Sequence, residues 1–215
     1  MAICAYDEIY LSNAQYVLGH AVDFAVMTLG IPPQDFAKAL AFSHSGKQFA
    51  QGNPRYVAGM NGCELAREIL DDAEISYTDH EDAMYLDKSP EYWAGWALAY
   101  YQWYADSTFS EILKAVSLEE IITMYPVYHE MDITHFTERM HQLMKTVYPH
   151  ARLRERRNSC GYSQAELASE ADVPLRQIQL FEQRQRDINK TSAITLYKLS
   201  KALCCRIEDL LEPEL

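Results

Sequence analysis

Residues 163–182 read Ser-Gln-Ala-Glu-Leu-Ala-Ser-Glu-Ala-Asp-Val-Pro-Leu-Arg-Gln-Ile-Gln-Leu-Phe-Glu. Ser163 followed by Glu166 is a capping box: the hydroxyl accepts the Glu166 amide, and the Glu side chain returns to the Ser163 amide. Leu167 and Ala168 then face inward, and the small Ala168 permits close approach of a crossing helix. Ala171-Asp172-Val173 is a turn, with Val173 as its apolar anchor. Pro174 suits the first turn of the next helix, where a missing N–H costs nothing. Val173, Ile178 and Phe181 form the buried edge of that second helix.

The flanks extend this unit. Leu153-Arg154-Glu155-Arg156-Arg157 is a basic helix leading in, ended by Gly161. Ile188-Asn189-Lys190 leads to Ala193, Ile194, Leu196, Leu199, Ala202 and Leu203, an amphipathic helix with apolar spacings of three and four. Ile207, Leu210 and Leu211 predict a last short helix before Pro213. Five helices in so short a segment match a domain able to fold alone.

The outer faces of the second helix carry Leu175, Arg176, Gln177, Gln179, Leu180 and Gln183. Arg and Gln can make paired hydrogen bonds to guanine and adenine edges. A helix carrying them in its N-terminal half is what a major groove accepts. Arg184, Arg186 and Lys190 follow at positions suited to phosphates.

Residues 153–212 resemble the Cro/C1-type helix-turn-helix family, also called the XRE family. The resemblance rests on Ser163-Gln164-x-Glu166-Leu167-Ala168, Val173, Ile178, Glu182 and Leu203-x-x-x-Ile207-Glu208-Asp209-Leu210-Leu211. It implies double-stranded DNA as a partner and a bracing role for Gln164 between a phosphate and a base contact. It places the base-reading positions on Leu175, Arg176 and Leu180. Two of these depart from a hydrogen-bonding pattern: leucine can pack on thymine methyls but cannot hydrogen-bond a base, so readout leans towards A·T. Arg184 stands where the family usually has glycine.

Charge divides the chain. Residues 1–150 hold 8 Lys/Arg and 21 Asp/Glu, a net of −13; residues 151–215 hold 11 and 10, a net of +1, and the two give the overall −12. The basic residues of the second part cluster at 152–157 and at 176–190, which can present a positive face even in a nearly neutral domain. The predicted domains are therefore an acidic, aromatic-rich helical domain at 1–149 and a helix-turn-helix domain at 150–215. Tyr148-Pro149-His150 is the junction, with the proline ending the preceding helix. The fold class is all-α.

Helix starts mark the acidic part. Ala14 to Leu29 is apolar-periodic and stops at Gly30-Ile31-Pro32-Pro33; Pro33 starts a helix through Phe42. Asn61 with Glu64, Ser89-Pro90-Glu91, Thr108 with Glu111, and Ser117 with Glu120 open four more, and Asp132 caps another through Met144. Lys47 to Pro54 reads as a loop without the spacing of a phosphate loop.

All three tryptophans lie in Tyr92–Tyr104. Trp93, Trp96, Tyr100, Trp103 and Tyr104 fall along one helical stripe. The plainer reading is a core helix. The sharper one is a partner surface that includes Tyr92, Trp96, Tyr101 and Tyr104, because Trp and Tyr dominate binding hot spots.

Other chemistry is sparse. His129-Glu130-Met131-Asp132-Ile133-Thr134-His135 lacks the i, i+4 histidine pair of a zinc helix, so no metal is expected. No Ser–His–Asp or Cys–His arrangement can be assigned, so neither an enzyme nor a cofactor is expected. Five cysteines, at 4, 63, 160, 204 and 205, are odd in number and show no C-x-x-C. They read as buried thiols in a reducing cytoplasm, Cys204-Cys205 lying near the apolar face of a helix; a redox switch there is the alternative. No run of 18 apolar residues suggests a membrane span. Met1-Ala2-Ile3-Cys4-Ala5-Tyr6-Asp7-Glu8 meets acid at once, unlike a signal peptide.

The first 150 residues resemble a group of uncharacterised bacterial regulators. The similarity lies in Ala5-Tyr6-Asp7, Gly52-Asn53-Pro54-x-Tyr56-Val57-Ala58-Gly59, Ser89–Ala97 and Tyr128–Asp132. In that group such a domain precedes a Cro/C1-type helix-turn-helix. The resemblance implies an antitoxin-type regulator, a homodimer, accompanied by a toxin of the ADP-ribosyltransferase-like kind. The competing class is an interaction module whose helix-turn-helix does not bind DNA.

Overall fold

The computed structural model describes residues 4–82, 87–148 and 150–212. Among them every regular element is helical. Two compact units divide the chain: residues up to Val147, and Tyr148–Glu212. Helix ends at Val147 and begins again at Arg152; Pro149, expected to end the first of these, lies outside the described residues, as do Met1–Ile3 and Pro213.

The first unit is built around α1 (Leu11–Asp23), nearly all of which from Ala14 onward is buried. The helix widens into a π turn over Phe24–Thr28, then breaks as Gly30 takes φ +67° and the Ile31 amide donates to the Ala25 carbonyl at 2.9 Å. Pro32 caps α2 (Pro33–Phe42), and Ser43 caps α3 (His44–Ala50) by accepting the Gly46 amide. Asn53 caps the single turn α4 (Pro54–Val57). The stretch from Lys47 to Pro54, expected as a loop, is thus largely helix; the Ser43 cap supplies the start signal that its polar composition hides.

Capping then repeats as the sequence predicts. Asn61 and Glu64 form a reciprocal box on α5 (Gly62–Asp72), Ser89 accepts the Tyr92 amide at the start of α6 (Pro90–Ala105), and Thr108/Glu111 and Ser117/Glu120 box α7 (Phe109–Ala115) and α8 (Leu118–Thr123). A short turn, α9 (Tyr125–Tyr128), precedes α10 (Ile133–Val147); the Asp132 carboxylate accepts the Thr134 amide at 2.9 Å.

Helices α1 and α6 meet backbone to backbone. A Cβ on Gly95 would stand 2.5 Å from the Leu18 carbonyl oxygen and 3.0 Å from Gly19 Cα. Only glycine permits that approach, and it lets Ala94, Ala97 and Leu98 bury completely beside Leu18, Ala21 and Val22.

The second unit contains α11 (Arg152–Ser159), α12 (Gln164–Glu170), α13 (Leu175–Glu182) and α14 (Ala193–Ala202), with 3₁₀ turns at Ile188–Lys190 and Glu208–Leu210. The fifth expected helix is only that last turn. Leu153, Leu167, Val173, Ile178, Phe181, Leu196, Leu199 and Leu210 form its core. Ile194, expected on the apolar face of α14, is 60% exposed.

All four helices of this unit end alike. The residue past each C-cap is left-handed: Gly161 at φ +77°, Asp172 at +47°, Arg184 at +54° and Cys204 at +49°. Each donates back to its own helix, and so does the next residue, as when Gln185 donates to Leu180 and Arg184 to Phe181. That double bond is the Schellman motif, which satisfies carbonyls the helix end would otherwise orphan. Only Gly161 takes this backbone without steric cost. Arg184, where glycine was expected, adopts the glycine conformation.

Candidate nucleic-acid interface

The turn between α12 and α13 is held from both sides. The Ser163/Glu166 box forms as expected, the Ser163 amide donating to Glu166 at 2.7 Å. These bonds hold the Glu166 carboxyl below its ordinary range. Val173 is buried, and Lys198 Nζ donates to the Asp172 carbonyl and carboxylate at 3.2 and 2.6 Å, bracing the turn from α14. Pro174 is the N-cap of α13, one place earlier than expected.

Beneath α13 lies a polar hub. Arg157 donates from Nε and Nη2 to the two Glu182 oxygens at 2.7 and 3.0 Å, and from Nη1 to the Tyr162 carbonyl at 2.7 Å. Gln164 Nε2 donates to Glu182 at 2.8 Å. Glu182 thus ties α11, α12 and α13 together. Arg157, expected in the basic cluster, is buried against Glu182. Its spacing of four from Leu153 on the buried stripe of α11 was the available signal.

The positions expected to read bases separate into groups. Arg176, Gln179, Leu180 and Gln183 follow i, i+3, i+4, i+7 spacing along α13. Arg176 and Gln183 are exposed, Gln179 and Leu180 half-buried. Arg176 makes no ion pair among the described residues. Leu175, at the helix start, is 39% exposed. Gln177 is turned aside, its Nε2 donating to Thr191 Oγ1 at 3.2 Å, and Gln164 is engaged as described.

Of the residues expected to contact phosphates, Arg184 is engaged within the domain and the other two are held only at its surface. Arg184 Nη2 donates to the His150 carbonyl and to Glu212, both at 3.3 Å. Glu212 also accepts the Arg152 amide at 2.6 Å and exchanges bonds with Asn189. Lys190 pairs with Asp187 at 3.1 Å, and Arg186 lies 5.8 Å from the Phe181 ring. Lys190 and Arg186 are exposed and paired only at the surface, so both can be re-aimed.

The aromatic helix of the first unit is mainly core. Trp93 and Trp103 are buried, and Trp103 Nε1 donates to the Tyr6 carbonyl at 2.8 Å. Tyr101, expected on a partner surface, is 1% exposed, and its hydroxyl shares a hydrogen bond with His141 Nδ1 at 2.8 Å. It cannot contribute to a surface. Tyr92, Trp96 and Tyr104 are half-buried. Tyr92 packs on Gly19 and carries the Lys88 ammonium 4.3 Å above its ring; Tyr104 stacks on Tyr100.

Cys63 is buried, but Cys160 and Cys204 are exposed and Cys205 is intermediate, against the expectation of buried thiols. The Schellman turn swings Cys204 off the apolar face of α14. Among the described residues no cluster of His, Cys, Asp or Glu could hold a metal, and no helix is long and apolar enough to cross a membrane.

Residues 153–210 match the family model described as helix-turn-helix. The match lies within Tyr148–Glu212, and this part of the chain is a helix-turn-helix domain of the Cro/C1 type. Comparison with curated proteins and with solved structures gives no match.

Proposed function

We propose that the chain is a sequence-specific, DNA-binding transcriptional regulator. The observation that carries this reading is Arg176, an exposed guanidinium without an ion pair among the described residues, on the outward stripe of α13 beside the exposed Leu175. Arginine there can take guanine O6 and N7 in a bidentate bond, and leucine can pack on a thymine methyl. The Glu182 hub fixes the angle at which α12 presents α13, so a rigid element offers the reading side chains.

The test is binding to the DNA upstream of the chain's own coding region, measured by anisotropy across salt. Arg176→Ala should cost roughly 1–3 kcal/mol and relax specificity; Lys190→Ala should weaken all sequences alike and lower the salt slope by about one. Affinity unmoved by Arg176→Ala removes α13 as the reader.

The finer reading is an antitoxin-type autorepressor of the bacterial cytoplasm, a homodimer on a palindromic site, without enzymatic activity. Its acidic unit would capture a protein partner, a toxin of the ADP-ribosyltransferase-like kind, through a surface including Tyr92, Trp96 and Tyr104. A charge of −13 on residues 1–150 suits electrostatic capture of a basic partner. Co-expression with the product of the adjacent gene, with Trp96→Ala as the weakened variant, tests this: a complex equally stable with and without Trp96 places the surface elsewhere.

A second reading has its own observation. Arg157 and Arg184 are both spent inside the domain, which leaves fewer cations for phosphate than the sequence promised. A helix-turn-helix serving as a protein contact module fits that economy, and salt-independent or absent DNA binding would favour it.

A further inference from the structure

Three thiols gather where α11 and α14 end. Cys160 is the C-cap of α11, and its Sγ–H donates to the carbonyl of Leu203, the C-cap of α14, at 3.6 Å. Cys204 and Cys205 follow Leu203 directly. Cys204 points back along its own helix, its Sγ–H reaching the Lys201 carbonyl at 3.8 Å. Cys205 is turned in towards the core, packed against the buried cluster of this unit. Burial first, then Asp209 and the nearby Cys160 and Cys204 sulfurs, push its thiol up, while Arg156 pulls the other way. Cys160, exposed to solvent, therefore lies against the turn that carries Cys205, its sulfur 3.6 Å from the carbonyl two residues before that thiol.

We propose that Cys160 and Cys205 are a peroxide-reactive pair that closes to an intramolecular disulfide. The substrate class is a hydroperoxide, hydrogen peroxide being the simplest. The Cys160 sulfur attacks one peroxide oxygen; an S–O bond forms, the O–O bond breaks, and the departing hydroxide leaves as water with the thiol proton. The Cys205 sulfur then attacks the Cys160 sulfenic acid. The S–S bond forms, the S–O bond breaks, and the hydroxide leaves as a second water with the Cys205 proton. Two thiols are oxidised by two electrons and one peroxide is reduced to two waters. Exposure assigns the first step to Cys160, and the second falls to Cys205, two residues past the carbonyl that Cys160 touches. The closed ring runs from Cys160 to Cys205, with α12 and α13 inside it, so oxidation staples the frame that holds the recognition helix. The inference does not depend on DNA binding.

The test uses the full-length reduced protein and hydrogen peroxide at a few equivalents, followed by alkylation and non-reducing peptide mapping. The expected product is one cross-linked peptide pair joining Cys160 to Cys205, two hydrogens lighter, with two alkylatable thiols lost. Cys160→Ser and Cys205→Ser each abolish it, and Cys204→Ser leaves it. The oxidised form should melt at least ~5 °C higher than the reduced form, reversibly with dithiothreitol. Both thiols remaining alkylatable, a link to Cys204, a link between molecules that grows with protein concentration, or oxidation of Cys160 beyond sulfenic acid without a link each overturn the proposal. Circular dichroism of Cys160→Ser, an exposed position, separates a lost link from a lost fold.

Discussion

Arg157 and Glu182 form a buried, two-bonded ion pair joining α11, the first helix of the helix-turn-helix unit, to the end of α13. Their side chains are 10% and 2% exposed. Neither charge can return to water without moving a helix, and Tyr162 and Gln164 complete the hydrogen bonding. Removing one partner strands the other. Glu182→Ala should destabilise this unit by roughly 3–5 kcal/mol, because a buried guanidinium is left without its counter-charge. Replacing both residues by leucine or methionine should cost far less. Urea melts of the two variants check this; equal losses would mean that the pair acts through packing alone.

The unit also predicts its own independence. Its core, caps and hub are all internal to Tyr148–Glu212. A fragment spanning residues 148–215 should show a single cooperative transition by circular dichroism. A broad, non-cooperative melt would place part of its stability outside those residues.

Gly161 and Cys204 hold the same left-handed position on two different helices, so they can be tested against each other. A Cβ on Gly161 would meet nothing within 4 Å. The cost of Gly161→Ala is then purely conformational, about 1 kcal/mol. Cys204 already bears that cost, and Cys204→Gly should stabilise by about 0.5–1 kcal/mol. Chemical melts of the two variants should move in opposite directions.

Much of this architecture was legible from local chemistry. Ser163/Glu166, Asn61/Glu64, Thr108/Glu111 and Ser117/Glu120 all cap helices as their spacing says, because a capping box needs only residues three apart. The hub was not legible in that way. Arg157 and Glu182 are 25 positions apart, and an arginine in a basic run looks like a phosphate contact until the fold turns it inward. Tyr101 misled for a related reason. Its stripe neighbours Tyr100 and Tyr104 are half-buried, and only the approach of α10, bringing Phe136 and His141, closes over it. The helix through Lys47–Ala50 is hidden in the sequence because its start signal, Ser43, lies outside the polar stretch that looks like a loop.

The crossing of α1 and α6 allows a sharp test. Gly95→Ala places a methyl against the Leu18 carbonyl oxygen, a backbone atom that cannot rotate away. The helices must separate, and overpacking of this kind costs about 1–3 kcal/mol. The loss should appear in the transition of the acidic unit and leave that of the helix-turn-helix unit in place. Differential scanning calorimetry resolves the two, and an unchanged first transition would mean that the contact is looser than the backbone positions imply.

Two histidines of the acidic unit make its stability depend on pH. His20 is 1% exposed, its ring beside Lys88 Nζ at 3.1 Å and edge-on to Tyr92. Burial, then the Lys88 charge, lowers its pKa, with Asp23 opposing. His141 is lowered by burial and then by Lys145; its Nδ1 is hydrogen-bonded to the Tyr101 hydroxyl. Both rings are neutral in the folded unit at pH 7. In the unfolded chain they titrate near the ordinary value of 6.5. Below that pH the unfolded state binds protons that the folded state refuses, so stability falls as pH drops from about 6.5 towards the lower folded values. Well above 6.5, where the unfolded chain has released those protons, neither histidine contributes a slope. The melting midpoint of the acidic unit should therefore be lower at pH 5.5 than at pH 7.5 by roughly 2–4 °C, the shift that about 1 kcal/mol gives a protein of this size. Replacing His20 and His141 by glutamine should flatten that difference, whatever it does to the midpoint at pH 7.5. A slope of the same size in the double variant would assign the dependence to carboxylates instead.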